Sequence, residues 1–160
     1  FQSHGDSGTT NRVLSTFLTW LSEKSSPVFV VATANNIDWI PSEILRKGRF
    51  DEMFFLNLPT CEERKTIFEL HLKRHRPDSM QKFHLGLLGQ LSKEFSGAEI
   101  EQVVIEAMRL GFHENREFST EDILVSMQNL IPLARTKNKE IELLKIWSKS
   151  GNVTNASKYG

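Results

Sequence analysis

The hydrophobic pattern of the chain changes near Pro59. Before that residue, an amphipathic helix predicted from Thr10 is followed by two short, mostly apolar runs, Val28–Ala34 and Met53–Leu58. Such runs, rich in β-branched and aromatic residues, are typical of strands that are covered on both faces in a parallel sheet. The order helix, strand, loop, strand therefore predicts the later half of an α/β layered domain.

After Pro59 the apolar residues follow a helical period only. We predict four helices: Glu62–Arg74, Phe83–Phe95, one that begins at the capping box of Ser96 and Glu99, and Thr120–Ile131, capped by Ser119. Four short amphipathic helices with brief connections favour a small bundle. The residues predicted to face its core are Ile67, Phe68, Leu70, His71, Leu87, Leu88, Leu91, Phe95, Ile100, Val103, Val104, Ala107, Met108, Gly111, Ile123, Leu124, Met127, Leu130 and Ile131.

A basic tail begins at Leu133, with six Lys and Arg residues against two Glu. Within it, Glu140–Trp147 carries apolar residues on one side and is predicted to be helical. The polar run after Ser148 has the composition of a disordered segment. Because the cations are spread thinly, the pattern favours a solvated extension over a site for nucleic acid or acidic lipid.

Composition excludes several classes of protein. Hydrophobic residues make up 39% and charged residues 25% of the 160 positions, as in globular proteins. Twenty basic residues balance twenty acidic ones, so the chain lacks the charge of a general nucleic-acid binder. The longest purely apolar run, Val28–Ala32, is far shorter than the roughly 20 residues of a membrane span. The single cysteine, Cys61, excludes an internal disulfide and fits a reducing compartment.

Polar residues follow the first predicted strand and occupy the loop after it. Asn35 stands at the carboxyl end of that strand, where open α/β sheets bind ligands. Arg46 and Arg49 flank Gly48 on the loop, and guanidinium groups offer forked donors that suit an anion. The alternative is that the arginines are solvated loop charges and that Asn35 is a turn or cap residue.

Two stretches resemble a known family. Val30–Asn36 and Ile44–Asp51 resemble the second region of homology of AAA ATPases, and Ser96–Ile100 resembles the sensor 2 segment of their helical lid. The resemblance covers about Ser7 to Ile131. It implies an α/β fold class with a partial AAA large subdomain over residues 1–59. That subdomain would hold a helix, two buried parallel strands and an arginine-finger loop, followed by a four-helix lid subdomain over residues 60–132 and the basic tail over 133–160.

The resemblance implies a role for each matched residue. Asn35 matches sensor 1, which orients the attacking water, and Arg46 and Arg49 match the catalytic arginine fingers that reach a neighbouring subunit's site. Gly97 and Ala98 match the sensor 2 position, where small residues let the lid approach the bound nucleotide. The loop before Thr10 corresponds to the second pore loop. Lys47 departs from the family, which most often has proline there.

The cofactors implied are ATP and Mg²⁺, yet no G-x-x-x-x-G-K-[ST] phosphate loop occurs in the chain. In the family, Walker A and Walker B lie upstream of the matched region, so both are expected before Phe1. The chain opens without an initiator methionine, and we expect it to begin inside a longer protein. We therefore expect the complete protein to hydrolyse ATP and this fragment alone to be inactive.

The partners implied are neighbouring subunits of a homo-oligomeric ring, most often a hexamer in this family, and a protein or complex that the enzyme remodels. No membrane or nucleic-acid partner is expected. Thr16–Asn36 is similar to AAA proteins encoded by algal plastid genomes and by cyanobacteria. That similarity implies the plastid stroma, or the cytoplasm of a cyanobacterium.

Other functions are weighed against this one. The chain could be a non-enzymatic helical interaction module on a degenerate AAA half, and a phosphate loop upstream would decide against that. A clamp-loader relative is disfavoured by the neutral charge. His71 and His75 are spaced as zinc ligands on a helix, but no third ligand or H-E-x-x-H glutamate accompanies them, so no metal site is predicted.

Overall fold

Helices dominate the computed structural model, which describes residues 7–36, 40–46, 48–149 and 153–157, with side chains from residue 12 onward. The predicted first helix is present as α1. The elements, in chain order, are α1 Ser7–Glu23, β1 Phe54–Phe55, α2 Cys61–His75, a 3₁₀ helix Pro77–Lys82, α3 Leu85–Leu91, α4 Gly97–His113, α5 Thr120–Gln128, α6 Leu133–Thr136, α7 Asn138–Ser148 and β2 Thr154–Asn155.

Three helices of the segment 60–132, which is called the lid below, begin at side chains that satisfy free backbone N–H groups. Before α4, Ser96 and Glu99 form the predicted capping box, with the Ser96 N–H 2.7 Å from Glu99 Oε2. Thr60 and Glu63 form the same arrangement before α2. Before α5, the Ser119 N–H donates to Asp122 Oδ2 at 2.8 Å. These local signals fix where the helices start, and the sequence encodes them within four residues.

The lid core lies between α2, α3, α4 and α5. Phe68 and Leu72 of α2 are fully buried, as are Leu88 of α3 and Ile123 of α5. The apolar face predicted for α4 is confirmed, since Ile100, Val103, Val104, Ala107 and Gly111 are all buried. One contiguous cluster therefore supports the lid, with Phe83, Phe95, Phe118 and Met127 at its margins.

Four residues predicted for the core are instead exposed. Leu70 is 66% exposed because the buried positions of α2, Arg64, Phe68 and Leu72, are spaced four apart, and Leu70 points away from that stripe. In α3, Leu88 is buried while Leu87 and Leu91 are exposed, since a seven-residue helix presents only one narrow face. Ile131 lies beyond the end of α5, and its side chain is exposed.

The α/β part contains parallel strands, but with a different pairing from the predicted one. Met53–Leu58 holds only the short strand β1, whose parallel partner is β2 in the tail. The predicted buried strand Val28–Ala34 is not a strand, and Phe29 and Val31 are 93% and 73% exposed. A buried strand needs neighbouring strands and covering layers, and the described residues supply neither to this segment.

The tail is more ordered than predicted. Its helix α7 spans Asn138–Ser148, longer than the predicted Glu140–Trp147, and none of its residues is buried. The prediction of disorder after Ser148 is wrong for residues 153–157. The Thr154 N–H donates to Met53 O and the Ala156 N–H donates to Phe55 O, both at 2.9 Å. None of the helices described here is long and apolar enough to cross a bilayer.

Arg64, a buried arginine, joins the α/β part to the lid. Its guanidinium donates to Pro59 O at 2.7 Å, to Gly89 O at 2.8 Å and to Ser92 Oγ at 3.1 Å. Gly89 allows the close approach of α3 to α2, since a Cβ there would lie 3.0 Å from Cys61 O. The acceptors lie on two segments, the chain that leaves β1 and the end of α3, and they thus fix the start of α2 relative to both.

We expect one pH-dependent contribution to lid stability, from Asp122. Two hydrogen bonds from Arg116, each 2.7 Å long, lower the pKa of Asp122 from 3.8 to about 2. A carboxyl whose pKa is lower in the folded state stabilises the fold above pH about 4, and this contribution is lost as the pH falls toward 2. Because Arg116 is 43% exposed, solvent screening limits the effect to about 1–2 kcal/mol.

Urea unfolding of wild type and Asp122→Asn between pH 7 and pH 2 measures this contribution. The difference between the two unfolding free energies should shrink as the pH falls through that window. Glu114→Gln is the matched control, because Glu114 also bonds Arg116 but lies at the surface. A difference that is constant with pH would contradict the assigned role of Asp122.

Candidate functional site

The loop between Ile40 and Met53 is folded by successive turns. The Ile44 N–H donates to Pro41 O at 2.9 Å, and the Arg49 N–H donates to Arg46 O at 3.3 Å. Between the two arginines, Gly48 has a φ of +91°, a left-handed conformation that favours glycine. The short helical turn predicted near Ser42–Leu45 is therefore present as a turn, and Gly48 lets the chain reverse between the arginines.

Arg46 is exposed at the rim of an open hollow of about 320 Å³. Among the described residues, its guanidinium makes no hydrogen bond and no ion pair. Asp51 and Glu52 line the same hollow and keep the local field from being purely positive. A solvated guanidinium on a folded loop can extend toward an anion outside this chain.

Arg49 is in a different position from Arg46. It is half-buried, and its Nη1 donates to the backbone oxygen of Leu18 in α1 at 3.0 Å. Among the residues of α1 from Arg12 onward, Leu18 and Leu21 are buried, so the arginine meets the helix on its packed side. The sequence pattern assigned both arginines the same role, whereas the contacts give Arg49 an additional one, that of bracing the loop against α1.

Asn35 lies at the end of the extended apolar segment and is exposed, next to the half-buried Asn36. No hydrogen bond among the described residues joins Asn35 to Arg46, or either of them to Ala98. The predicted site residues thus lie on three separate segments: the end of residues 28–34, the loop with the arginines, and the start of α4. Lys47 lies outside the described residues, and so do residues 1–6 of the second pore loop predicted before Thr10.

Gly97 and Ala98 form the first turn of α4, directly after the cap residue Ser96. Ala98 is exposed and Gly97 is half-buried. A Cβ added at Gly97 would lie 3.8 Å from the nearest neighbouring atom, Ile67 Cδ1. A Cβ would fit there, so packing does not require glycine. The free N–H groups of a first turn and the helix dipole favour a negative charge at this end.

The contacts also show the role of Arg64, which the sequence did not single out, and the surroundings of His71, which it did. Arg64 was missed because a basic residue on an amphipathic helix is ordinarily solvated, and its three acceptors come from other segments. His71 faces Glu101 across 3.7 Å, and its Nδ1 is buried without a hydrogen-bond partner among the described residues. Within the described chain, no three His, Cys, Asp or Glu residues are grouped to hold a metal ion.

Comparison with known proteins gives a consistent result. Residues 2–58 match the family described as "ATPase family associated with various cellular activities (AAA)". The "Uncharacterized AAA domain-containing protein ycf46" of Trieres chinensis is 57% identical over 155 residues, which cover 97% of this chain and 31% of that protein. The protein of the same name from Pyropia yezoensis is 56% identical over 155 residues, covering 97% and 32%.

A more distant relative has a functional name. The "Proteasome-activating nucleotidase" of Saccharolobus solfataricus is 34% identical over 115 residues, which cover 72% of this chain and 29% of that protein. The chain spans about a third of the length of the curated relatives it matches. All three are considerably longer than the segment described above.

Proposed function

We propose that this chain, which belongs to the AAA family of ATPases, is the C-terminal part of an enzyme that binds and hydrolyses ATP with Mg²⁺. The observation that carries the proposal is the pair of arginines on the folded loop. Arg49 braces that loop against α1, and Arg46 stands exposed beside it. To stabilise a transferring phosphoryl group, a guanidinium must be held in place and must not already be paired within its own chain. Among the described residues, Arg46 meets both conditions.

Each candidate site residue takes one role in this proposal. Asn35 orients the attacking water, Arg46 supplies positive charge to the ATP of the neighbouring subunit, and Arg49 positions Arg46 and adds charge. Gly97 and Ala98 approach the bound nucleotide from the lid. The phosphate loop and the acidic residues that hold Mg²⁺ belong to the upstream part of the complete protein.

The division of the chain follows from the same proposal. Residues 1–59 are the end of the α/β subdomain, residues 60–132 the lid and residues 133–160 the basic tail. Arg64 lies just inside the first boundary and bonds Pro59 O, which supports a junction at this place.

We further propose a ring of identical subunits, a hexamer as is commonest in this family, that remodels a protein or complex. The exposed position of Arg46 supports action between subunits, because its guanidinium has no partner among the described residues of its own chain. The algal relatives support a location in the plastid stroma, with the cyanobacterial cytoplasm as the alternative. The name of the Saccharolobus solfataricus relative, a proteasome-activating nucleotidase, supports action on a protein assembly.

The most direct test of the proposed activity compares two lengths of the protein. We expect the full-length protein to release phosphate from ATP in the presence of Mg²⁺, and the 160-residue chain to show no turnover above a blank. The fragment has no lysine-bearing phosphate loop, and helix N-termini alone do not hold a nucleoside triphosphate for reaction. Phosphate release measured on both proteins, each with an Asn35→Ala variant, checks this.

Two outcomes would count against the proposal. Turnover by the fragment that Asn35→Ala leaves unchanged would mean that the chemistry does not use the proposed residues. A folded full-length protein that binds no ATP would instead favour a non-enzymatic helical interaction module. Circular dichroism of each sample establishes that the protein is folded.

A further inference from the structure

The two capping-box glutamates of the lid each use only one carboxylate oxygen for the cap. In Glu99, Oε2 accepts from Ser96, while Oε1 accepts from the backbone N–H of Leu133 at 2.6 Å. In Glu63, Oε2 accepts from Thr60, while Oε1 accepts from Ser157 Oγ at 2.6 Å. At both helix starts one carboxylate oxygen caps the helix and the other binds the tail. Leu133 and Ser157, near the two ends of the tail, are thereby held against the lid.

Further contacts reinforce each end of the tail. At the first end, Arg135 Nε lies 2.8 Å from Glu94 Oε2, in the turn before α4, and this bond lowers the pKa of Glu94. At the other end, β2 pairs with β1 through the N–H groups of Thr154 and Ala156. The tail therefore touches the start of α4, the start of α2 and the strand that precedes the lid.

We propose that the tail, through its described residues 133–149 and 153–157, is a strap that holds the first turn of α4 in a fixed position relative to β1. This inference rests on the proposed function, because that first turn carries Gly97 and Ala98, the candidate nucleotide contacts. Each contact at the surface is weak alone, but several contacts along one segment reinforce one another, since each holds the others at high local concentration. Glu99 and Leu133 are then positioning residues for the nucleotide site.

Leu133 offers a matched pair of variants that separates the backbone contact from the side chain. Leu133 is the first residue of α6 and follows Pro132, whose φ of −58° and ψ of 138° are compatible with a following proline. Leu133→Pro removes the N–H that Glu99 accepts, at a helix position where proline is favourable. Leu133→Ala keeps the N–H and removes the exposed side chain.

In the full-length protein, we expect Leu133→Pro to speed amide hydrogen exchange at Glu99 and Ile100, whose N–H groups bond Ser96, several-fold. We also expect it to raise the KM for ATP about tenfold, with kcat within about twofold of wild type. Leu133→Ala should match wild type in all three measurements. Equal behaviour of the two variants, or a lower kcat at unchanged KM, would overturn the proposal.

Variants at the far end of the strap distinguish a strap from separate local contacts, because only a strap transmits a change at β2 to the first turn of α4. Thr154→Pro removes an N–H that bonds β1, whereas Thr154→Ala keeps that N–H and removes only an exposed side chain. A strap predicts faster exchange at Glu99 and Ile100, whose N–H groups bond Ser96, in Thr154→Pro and not in Thr154→Ala. Unchanged exchange in both variants would reduce the tail to separate local contacts and overturn the proposal.

Hydrogen exchange also separates this inference from the proposed activity. If the wild-type full-length protein has no ATP turnover, the proposed function fails, yet the exchange rates still decide whether the tail acts as a strap. If turnover is present but the Thr154→Pro exchange is unchanged, the strap alone fails.

Discussion

Replacing Arg46 by alanine should lower the ATP turnover of the full-length protein by about 10³-fold or more and leave ATP affinity nearly unchanged. The Arg46 guanidinium is exposed on its loop and, among the described residues, pairs with none. A charge that acts on the transferring phosphoryl group stabilises the transition state more than bound ATP, so its loss appears in kcat. Steady-state phosphate release and calorimetric ATP titration measure the two quantities.

Two further variants serve as controls for Arg46→Ala. Arg46→Lys should not restore turnover, because an ammonium group cannot reproduce the planar, forked donors of arginine. Arg49→Ala should lower turnover by the same factor or less, because Arg49 acts in part indirectly, by bracing the loop that carries Arg46 through Leu18 O. A variant Arg46→Ala with weaker ATP binding and unchanged kcat would contradict the assignment of this loop to the transition state.

Val104→Asp should unfold the lid. Val104 is fully buried in the middle of α4, within the cluster that includes Phe68 and Ile123. An unpaired buried carboxylate costs several kcal/mol, about 3–5 kcal/mol for comparable uncompensated charges, and a small domain has little more stability than that. The thermal unfolding curve followed by circular dichroism should lose its cooperative transition.

The matched control is the neighbouring residue on the same helix. Ile105 is 38% exposed, so an aspartate there remains partly solvated, and Ile105→Asp should keep a cooperative transition at a slightly lower temperature. If Val104→Asp unfolds like Ile105→Asp, the buried face of α4 is not the centre of the lid core.

The sequence predicted those parts of the lid whose signals are local. Capping boxes and apolar spacing located α2, α4 and α5 to within a few residues and identified Val103, Val104 and Ala107 as core. Exposure of Leu70 and Leu91 was not predicted, because hydrophobicity alone does not say which face of a short helix meets a neighbour. The burial of Phe68 follows from contacts between helices that are remote in sequence.

The α/β part and the tail were harder to predict. The pairing of β1 with β2 joins residues about 100 positions apart, and a polar strand such as Thr154–Asn155 has no hydrophobic pattern to mark it. The apolar segment Val28–Ala34 has the composition of a buried strand, but a strand forms only where another strand completes its hydrogen bonds. Composition therefore indicates what a segment requires and not whether the requirement is met.

For the candidate site, the motif located Asn35, Arg46, Arg49, Gly97 and Ala98 but could not distinguish the two arginines. The distinction depends on one contact, from Arg49 to the Leu18 oxygen, which lies 31 residues away along the chain. The second oxygen of Glu99 is likewise engaged by a residue outside its motif, Leu133. Motifs specify the types of side chain, and tertiary contacts determine which of them are free to act.

The measurement that tests the central claim most directly is ATP turnover in rings of mixed subunits. One subunit carries Arg46→Ala, and the other carries a replacement of the phosphate-loop lysine proposed upstream, so that each alone is inactive. If Arg46 serves the neighbouring subunit, the mixture should recover turnover, because the second subunit donates its intact Arg46 to the intact phosphate loop of the first. If the two variants assemble together and turnover stays at the level of either alone, Arg46 does not act between subunits, and the account of this loop is wrong.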